Sequence, residues 1–336
     1  MESTHSPVGI IADLAWGGFY AGALSSVTQL GIADRLVSGP KTAAALATEV
    51  NAHASSLYRV LRVLASKGVF AEDAEGRFHL TPAAELLCTG GAFSMQGVVQ
   101  LGTFVPSIEA AIHIPHTVKT GECAFDHRFG VGFFEYISKR PELAAAFAKG
   151  MAGVSDADNR AVVDAYDFSG ASRVVDVGGG LGGLLVDVIR KYPSVRGVLY
   201  DRAEVVQQPG RIAAAGLDGQ VERVAGDFFT SVPGGADTYV LKRILHDWAD
   251  DMCVTILKNC RRVMAEGGRV LVVDALIPPG NTDHPSKAID LCMLTLLTGR
   301  ERIEADFVSL FEAAGLKLAR VIPTASGVAI LEGVPA

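Results

Sequence analysis

The sequence predicts an α/β protein in two parts, a mostly helical first half and a second half in which strands alternate with helices. Three observations carry this. Residues 173–183, RVVDVGGGLGG, read as a β-branched strand running into a glycine-rich turn, with a helix opening directly behind it. Four further β-rich runs follow, at 196–201, 221–227, 237–242 and 269–277, interleaved with helical periodicity, the pattern of a parallel sheet covered on both faces. Before residue 166 the apolar positions recur at helical spacing almost throughout.

The 336 residues suit two domains, each able to bury a core. With 49% hydrophobic and 20% charged residues the chain reads as globular rather than disordered. A net charge of -7 gives the molecule as a whole no attraction for nucleic acid or an anionic membrane. The five cysteines are odd in number, scattered and without a CxxC pair, so reduced, mostly buried thiols are expected. The opening MESTHSP has no basic region, and the apolar stretch behind it carries Asp13, so neither signal peptide nor membrane span is expected and the protein is placed in the cytoplasm.

Along the first half, residues 10–36 read as one long helix and then a second. Thr42 caps a short helix, and Ser55 or Ser56 caps another that ends at Gly68. Residues 69–82 read as a β-hairpin around the turn AEDAEG, so the order is that of a winged helix. A DNA-binding reading rests on Arg59, Arg62 and Lys67, but Glu49, Glu72, Asp73 and Glu75 cancel the basic excess that phosphate contact requires. Packing against a partner subunit is the expectation instead. Residues 97–153 are again helical, with a break before Pro141, and Phe133, Phe134, Tyr136 and Phe147 read from spacing alone as core. His113, His116, Cys123 and His127 match no common zinc template, and no metal is expected.

In the second half, Gly178, Gly180 and Gly183 satisfy GxGxxG, with Asp201 about 20 residues on where a ribose-binding acid is expected. Ligands of such sheets lie beyond the carboxyl ends of the strands. Asp201, Asp227, Lys242 and Asp274 fall there, and two acids at consecutive strand ends beside a glycine turn suit a nucleoside. Helices are expected over 250–265, 290–297 and 305–313, and the chain closes with an antiparallel pair, LARVIPT and GVAILEG.

The ordered runs DVGGGLGG, LYDRAEVV, AGDFF, LKRILHDWADD, ILKNCRRVMAEGGRVLVVDALIP, DLCML and GRERIEADF resemble the S-adenosylmethionine-dependent small-molecule O-methyltransferases of the caffeate and hydroxyindole type, with their bacterial natural-product relatives. The likeness extends to the first half, through its LTP turn and FFEYISKRPELAAAFAKGM. It implies a winged-helix-like dimerisation domain over 1–100, a helical linker and substrate-pocket region over 101–165, and a Rossmann-like class I methyltransferase domain over 166–336. Asp176, Gly178, Gly180, Asp201, Asp227, Phe228 and Lys242 are then the expected residues for S-adenosyl-L-methionine, with Asp201 on the ribose and Asp227 and Phe228 on adenine. His246 aligns with the general base, and Asp274 and Glu301 with the acids that orient it. Position 274 is usually glutamate in the plant enzymes, so the shorter Asp274 leaves Glu301 as the expected partner. Phe147, Met151, Asp247, Cys292, Met293 and Leu297 are the implied substrate-pocket positions, in a homodimer that methylates a phenolic hydroxyl of an aromatic small molecule.

A phenol has an ordinary pKa near 10 and attacks poorly at neutral pH unless a base takes its proton. Histidine, whose charge changes near neutrality, suits that task. Read without the resemblance, His246 is a buried or capping histidine and Glu301 an acid at a solvated helix start. Three alternatives stay open from the sequence: a nicotinamide-dependent oxidoreductase, a winged-helix DNA-binding regulator, and a relative that binds the same cofactor but catalyses hydroxylation, cyclisation or rearrangement.

Overall fold

The computed structural model describes residues 6–89, 94–208 and 210–336. It divides into two compact units, residues 1–108 with 142–154, and residues 109–141 with 155–336.

The first unit opens with three helices, Pro7–Ala15, Gly17–Gln29 and Ile32–Leu36, where the sequence reads as two. The interruption falls at Trp16, between one helix and the paired glycines Gly17 and Gly18 that open the next with little intrinsic helical preference. A two-residue strand β1 (Lys41–Thr42) precedes the helix Ala43–Glu49, whose Thr42 cap accepts from the Ala45 amide as expected. The next helix, Ala54–Ser66, is capped by His53 rather than a serine, its ring nitrogen facing the Ser56 amide and hydroxyl. Strands β2 (Phe70–Glu72) and β3 (Arg77–Leu80) form the expected hairpin, and β1 adds to its free edge through Lys41↔Phe78, a pairing too short for periodicity to reveal. Leu46, Leu61, Phe70 and Phe78 close the core of this unit.

The second unit is built on a seven-stranded sheet. Its strands are β4 (Arg173–Val177), β5 (Arg196–Asp201), β6 (Val221–Ala225), β7 (Thr238–Lys242), β8 (Arg269–Ala275), β9 (Leu316–Pro323) and β10 (Val328–Pro335), in the spatial order 6-5-4-7-8-10-9. β4 to β8 are parallel, while β10 is antiparallel to both its neighbours, β8 and β9. The order reverses at β4, and ligands sit at such switch points. β4 is buried on both faces, which is why its sequence does not alternate; Asp176 is its single acid.

Behind the glycine turn the helix Gly183–Lys191 buries Leu184, Leu185, Val186, Val188 and Ile189 against the sheet, each worth roughly 1.5–3 kcal/mol of transfer free energy. On the other face, Asp250–Val263 and Glu304–Ala313 pack through Ile256, Leu257, Phe307 and Phe311. The helix Pro285–Leu296 begins five residues before the expected 290, because His284 caps it and Pro285 fits its first turn. The helix Pro141–Ala165 starts at the foreseen break. No single described helix is long and apolar enough to cross a membrane; the bent pair Pro7–Ala15 and Gly17–Gln29 passes such a test by length and composition alone.

Candidate active site

The carboxyl ends of β4, β5, β6 and β7 gather the first group of foreseen residues. Gly178 has a left-handed φ of 71°, and a side chain there would run into Ile244 and approach Phe228, so only glycine leaves this hollow open. Asp201 accepts from the Gly180 amide at 2.9 Å and from the Arg202 amide at 2.7 Å, tying the end of β5 to the glycine turn. Burial raises its pKa against those two bonds. Asp227 is exposed, and its carboxylate accepts from the Phe229 amide at 2.9 Å. The loop beyond it is held by Asn259, which donates to the Phe228 and Phe229 carbonyls at 2.8 and 3.0 Å. Phe228, Phe229 and Phe134 surround Trp248.

Beneath the turn lies Asp176, pushed up to about 6 by burial in spite of the neighbouring cation of Lys242. Burial lowers the pKa of Lys242, whose ammonium donates to Ser155, and Arg211 forms a forked pair with Asp156. A glycine hollow, two acids at adjacent strand ends, an aromatic wall and a helix N-terminus fit a nucleoside that carries an amino-acid arm.

The second group centres on His246, in a single 3₁₀ turn, Leu245–Asp247, just past β7. His246 is buried, and its Nδ1 lies 2.8 Å from Glu301 Oε1, leaving Nε2 near Asp247 Oδ1 at 3.4 Å. A carboxylate only accepts, so Nδ1 carries the proton and Nε2 is the basic position of the neutral ring. Glu301 is no solvated helix start: only 4% exposed, it is fixed by its amide donating to Asp290 and by the parallel bridge Leu276↔Arg302 that draws its loop onto the end of β8. Asp274 is fully buried, and neither of its carboxylate oxygens has a hydrogen-bond partner among the described residues; the contact to His246 belongs to Glu301.

Burial works against a charged His246. Asp247, the Glu301 hydrogen bond and the charge of Asp274 outweigh it and raise the imidazole from 6.5 to about 9. Burial in turn pushes Asp274 up to about 7 and Asp247 to about 6, against the pull of His246. These groups titrate as one cluster, with the proton held most firmly at the ring.

Spacing alone did not mark the residues that build the turn. Arg302, fully buried, donates to the Leu245 carbonyl at 2.7 Å and the Trp248 carbonyl at 2.8 Å while pairing with Asp250, so it brackets His246 from both sides. Gly299 packs so closely on the turn that a methyl there would collide with backbone atoms of His246, Asp247 and Trp248. The signal available was their position in TGRER, immediately around Glu301.

Of the foreseen pocket residues, Asp247 lies beside His246, while Cys292, Met293 and Leu297 lie on or just after the helix Pro285–Leu296. Cys292 is exposed as a residue, yet burial of its thiol end and the charge of Asp247 push it up to about 11. Phe147 and Met151 belong to the first unit, where Phe147 packs on Phe104 with ring centroids 6.2 Å apart. His116 and His127 stack with centroids 3.7 Å apart, and no metal-holding cluster occurs among the described residues.

The switch-point glycine turn, the strand-end acids and the antiparallel strand set between β8 and β9 define a Rossmann-like class I methyltransferase that uses S-adenosyl-L-methionine. The model of the O-methyltransferase domain matches residues 112–317 and that of the O-methyltransferase dimerisation domain residues 13–90, so the chain belongs to the O-methyltransferase family and is an S-adenosyl-L-methionine-dependent O-methyltransferase. Among its relatives is the phenazine O-methyltransferase PhzM of Lysobacter antibioticus, 41% identical over 97% of this chain and 96% of that protein. The O-demethylpuromycin-O-methyltransferase of Streptomyces alboniger is 40% identical over 93% of this chain and 84% of its own. CalO1, a methyltransferase in calicheamicin biosynthesis solved with S-adenosylhomocysteine bound, superposes with a TM-score of 0.88 at 41% identity, covering 100% of both chains.

Proposed function

We propose that this O-methyltransferase acts as a homodimer on a phenolic hydroxyl of an aromatic natural-product intermediate, with His246 as general base and Glu301 orienting it. The observation that carries this reading is the buried His246 ring, its Nδ1 fixed on Glu301 so that the lone pair of the neutral ring sits at Nε2. The relatives named for phenazine and O-demethylpuromycin support an aromatic acceptor. The exposed apolar side chains Val8, Ile11, Leu14 and Phe19 of the first unit, within or beside the matched dimerisation domain, support the homodimer.

S-adenosyl-L-methionine supplies an electrophilic methyl group when bound. Asp201 would hold its ribose, Asp227 and Phe228 its adenine, and the glycine turn with Gly178 and Gly180 its methionine arm, with Asp176 and Lys242 beneath. The protein's own task is placement and proton removal: Nε2 of His246 takes the phenolic proton, and Glu301 with the nearby Asp274 stabilises the imidazolium that results. Cys292, Met293 and Leu297 would shape the acceptor's side of the pocket.

Replacing His246 with Ala tests the reading. Turnover of a phenolic acceptor should fall about 10²–10⁴-fold, while calorimetric affinity for S-adenosylmethionine stays near that of the parent. Undiminished turnover would remove His246 as the base, and binding without methyl gain across a broad phenol panel would favour the non-methylating alternative.

A further inference from the structure

Arg243 sits immediately past β7 with a left-handed φ of 53°, a conformation that non-glycine residues seldom take and that the surrounding structure must hold. Two contacts hold it. Its amide donates to the Val273 carbonyl at 2.9 Å, which continues the β7–β8 ladder and sets Arg243 level with Asp274. Its guanidinium Nε donates to Asp158 Oδ2 at 2.6 Å, a pair whose side chains are 12% and 3% exposed.

From that fixed place its charge reaches the carboxylates around His246. Asp274 on β8, Glu301 on the loop ahead of the helix Glu304–Ala313, and Asp247 on the histidine's own turn all interact with its charge. Asp158 on the helix Pro141–Ala165 opposes it from behind, with Lys242 adjacent on β7. Three buried carboxyl groups beside one imidazole would bind protons more avidly without a permanent neighbouring cation. Arginine supplies one because it does not deprotonate.

We propose that Arg243, anchored on Asp158, is a positioning residue that sets the proton affinity of the His246 cluster, and thereby the pH range over which His246 is free to accept a proton. Its consequence for turnover rests on His246 being the general base. The effect on the ring does not.

The test is nitrogen-detected NMR titration of the full-length protein, with the His246 imidazole assigned by its disappearance in H246N, alongside the pH profile of kcat. R243Q should raise the cluster's proton affinity on the order of tenfold, moving the His246 midpoint and the acid limb of kcat to higher pH. R243K should restore both. D158N, which leaves the cation less compensated, should move them the opposite way. A merely structural role predicts that R243Q loosens the site and drops the midpoint toward that of ordinary histidine. An unchanged or lowered midpoint in R243Q overturns the proposal. If R243Q does not fold, an unchanged or raised midpoint in D158N overturns it instead. Loss of the acid limb in H246N tests the base separately, since the midpoint in R243Q is read whether or not turnover follows it.

Discussion

Gly299→Ala adds one methyl group at a position where the nearest atoms are all backbone of the His246 turn: the His246 oxygen, the Asp247 carbonyl carbon and the Trp248 nitrogen. Such atoms do not swing aside as a side-chain tip does. Restoring ordinary van der Waals separation requires the turn or the loop to retreat by about 1 Å. The turn is pinned from beyond by Arg302, so the retreat must also disturb its bonds to the Leu245 and Trp248 carbonyls. Overpacking of this kind costs about 1–3 kcal/mol of stability, and a displacement of about 1 Å in a positioned group costs on the order of 10²-fold in turnover. The assay is steady-state kinetics on a phenolic acceptor, with a thermal melt and a calorimetric titration of S-adenosylhomocysteine. Reduced kcat with near-parental cofactor affinity is expected, because the Gly178–Asp201 hollow does not touch Gly299. Parental kcat and an unchanged melt would refute the argument that the loop sets the place of His246.

Three further outcomes follow from the site. Glu301→Gln removes both a charge and the group that fixes the ring, so kcat should fall about 10²-fold or more, and the acid limb should move to lower pH because an anion that favours imidazolium is gone; a limb that stays put would reassign the raised proton affinity to Asp247. In the parent enzyme, kcat/KM should climb from neutrality toward pH 9, since His246 is raised to about 9 and only its neutral form accepts a proton; a flat profile over that range would contradict this cluster. Asp201→Ala deletes a carboxylate from the cofactor hollow and frees the Gly180 amide, so cofactor affinity should weaken about 10–10²-fold, and an unaltered titration would sink the ribose assignment.

Strands β4 and β8 were legible from the chain because they are buried on both faces and therefore read as nearly continuous apolar, β-branched-rich runs, as in VVDV and VLVV. The break at Trp16 was not, since the apolar spacing continues across it while the paired glycines that follow act only on local backbone preference. Strand-end acids announce themselves as chemistry at a predicted ligand face. The parts that hold the His246 turn do not: Arg302 and Gly299 act through backbone carbonyls and close approach, which leave no periodicity. Asp274 illustrates the limit in another way: the resemblance aligns it with an acid beside His246 and its short side chain favours Glu301 as the partner, but only the fold shows it fully buried with neither carboxylate oxygen hydrogen-bonded among the described residues.

The helix Pro285–Leu296 meets the histidine cluster through Asp290, whose carboxylate receives the Glu301 amide, while Cys292 and Met293 follow on the next turn. That arrangement separates what must be kept from what can be exchanged. One acid on the helix holds the Glu301 loop, and its bond to the Glu301 amide is not shared by Cys292 or Met293. If Cys292 and Met293 line the acceptor as proposed, selection or a designer can recut them while leaving Asp290 in place, and a change of substrate need not be preceded by a rebuilding of the chemistry.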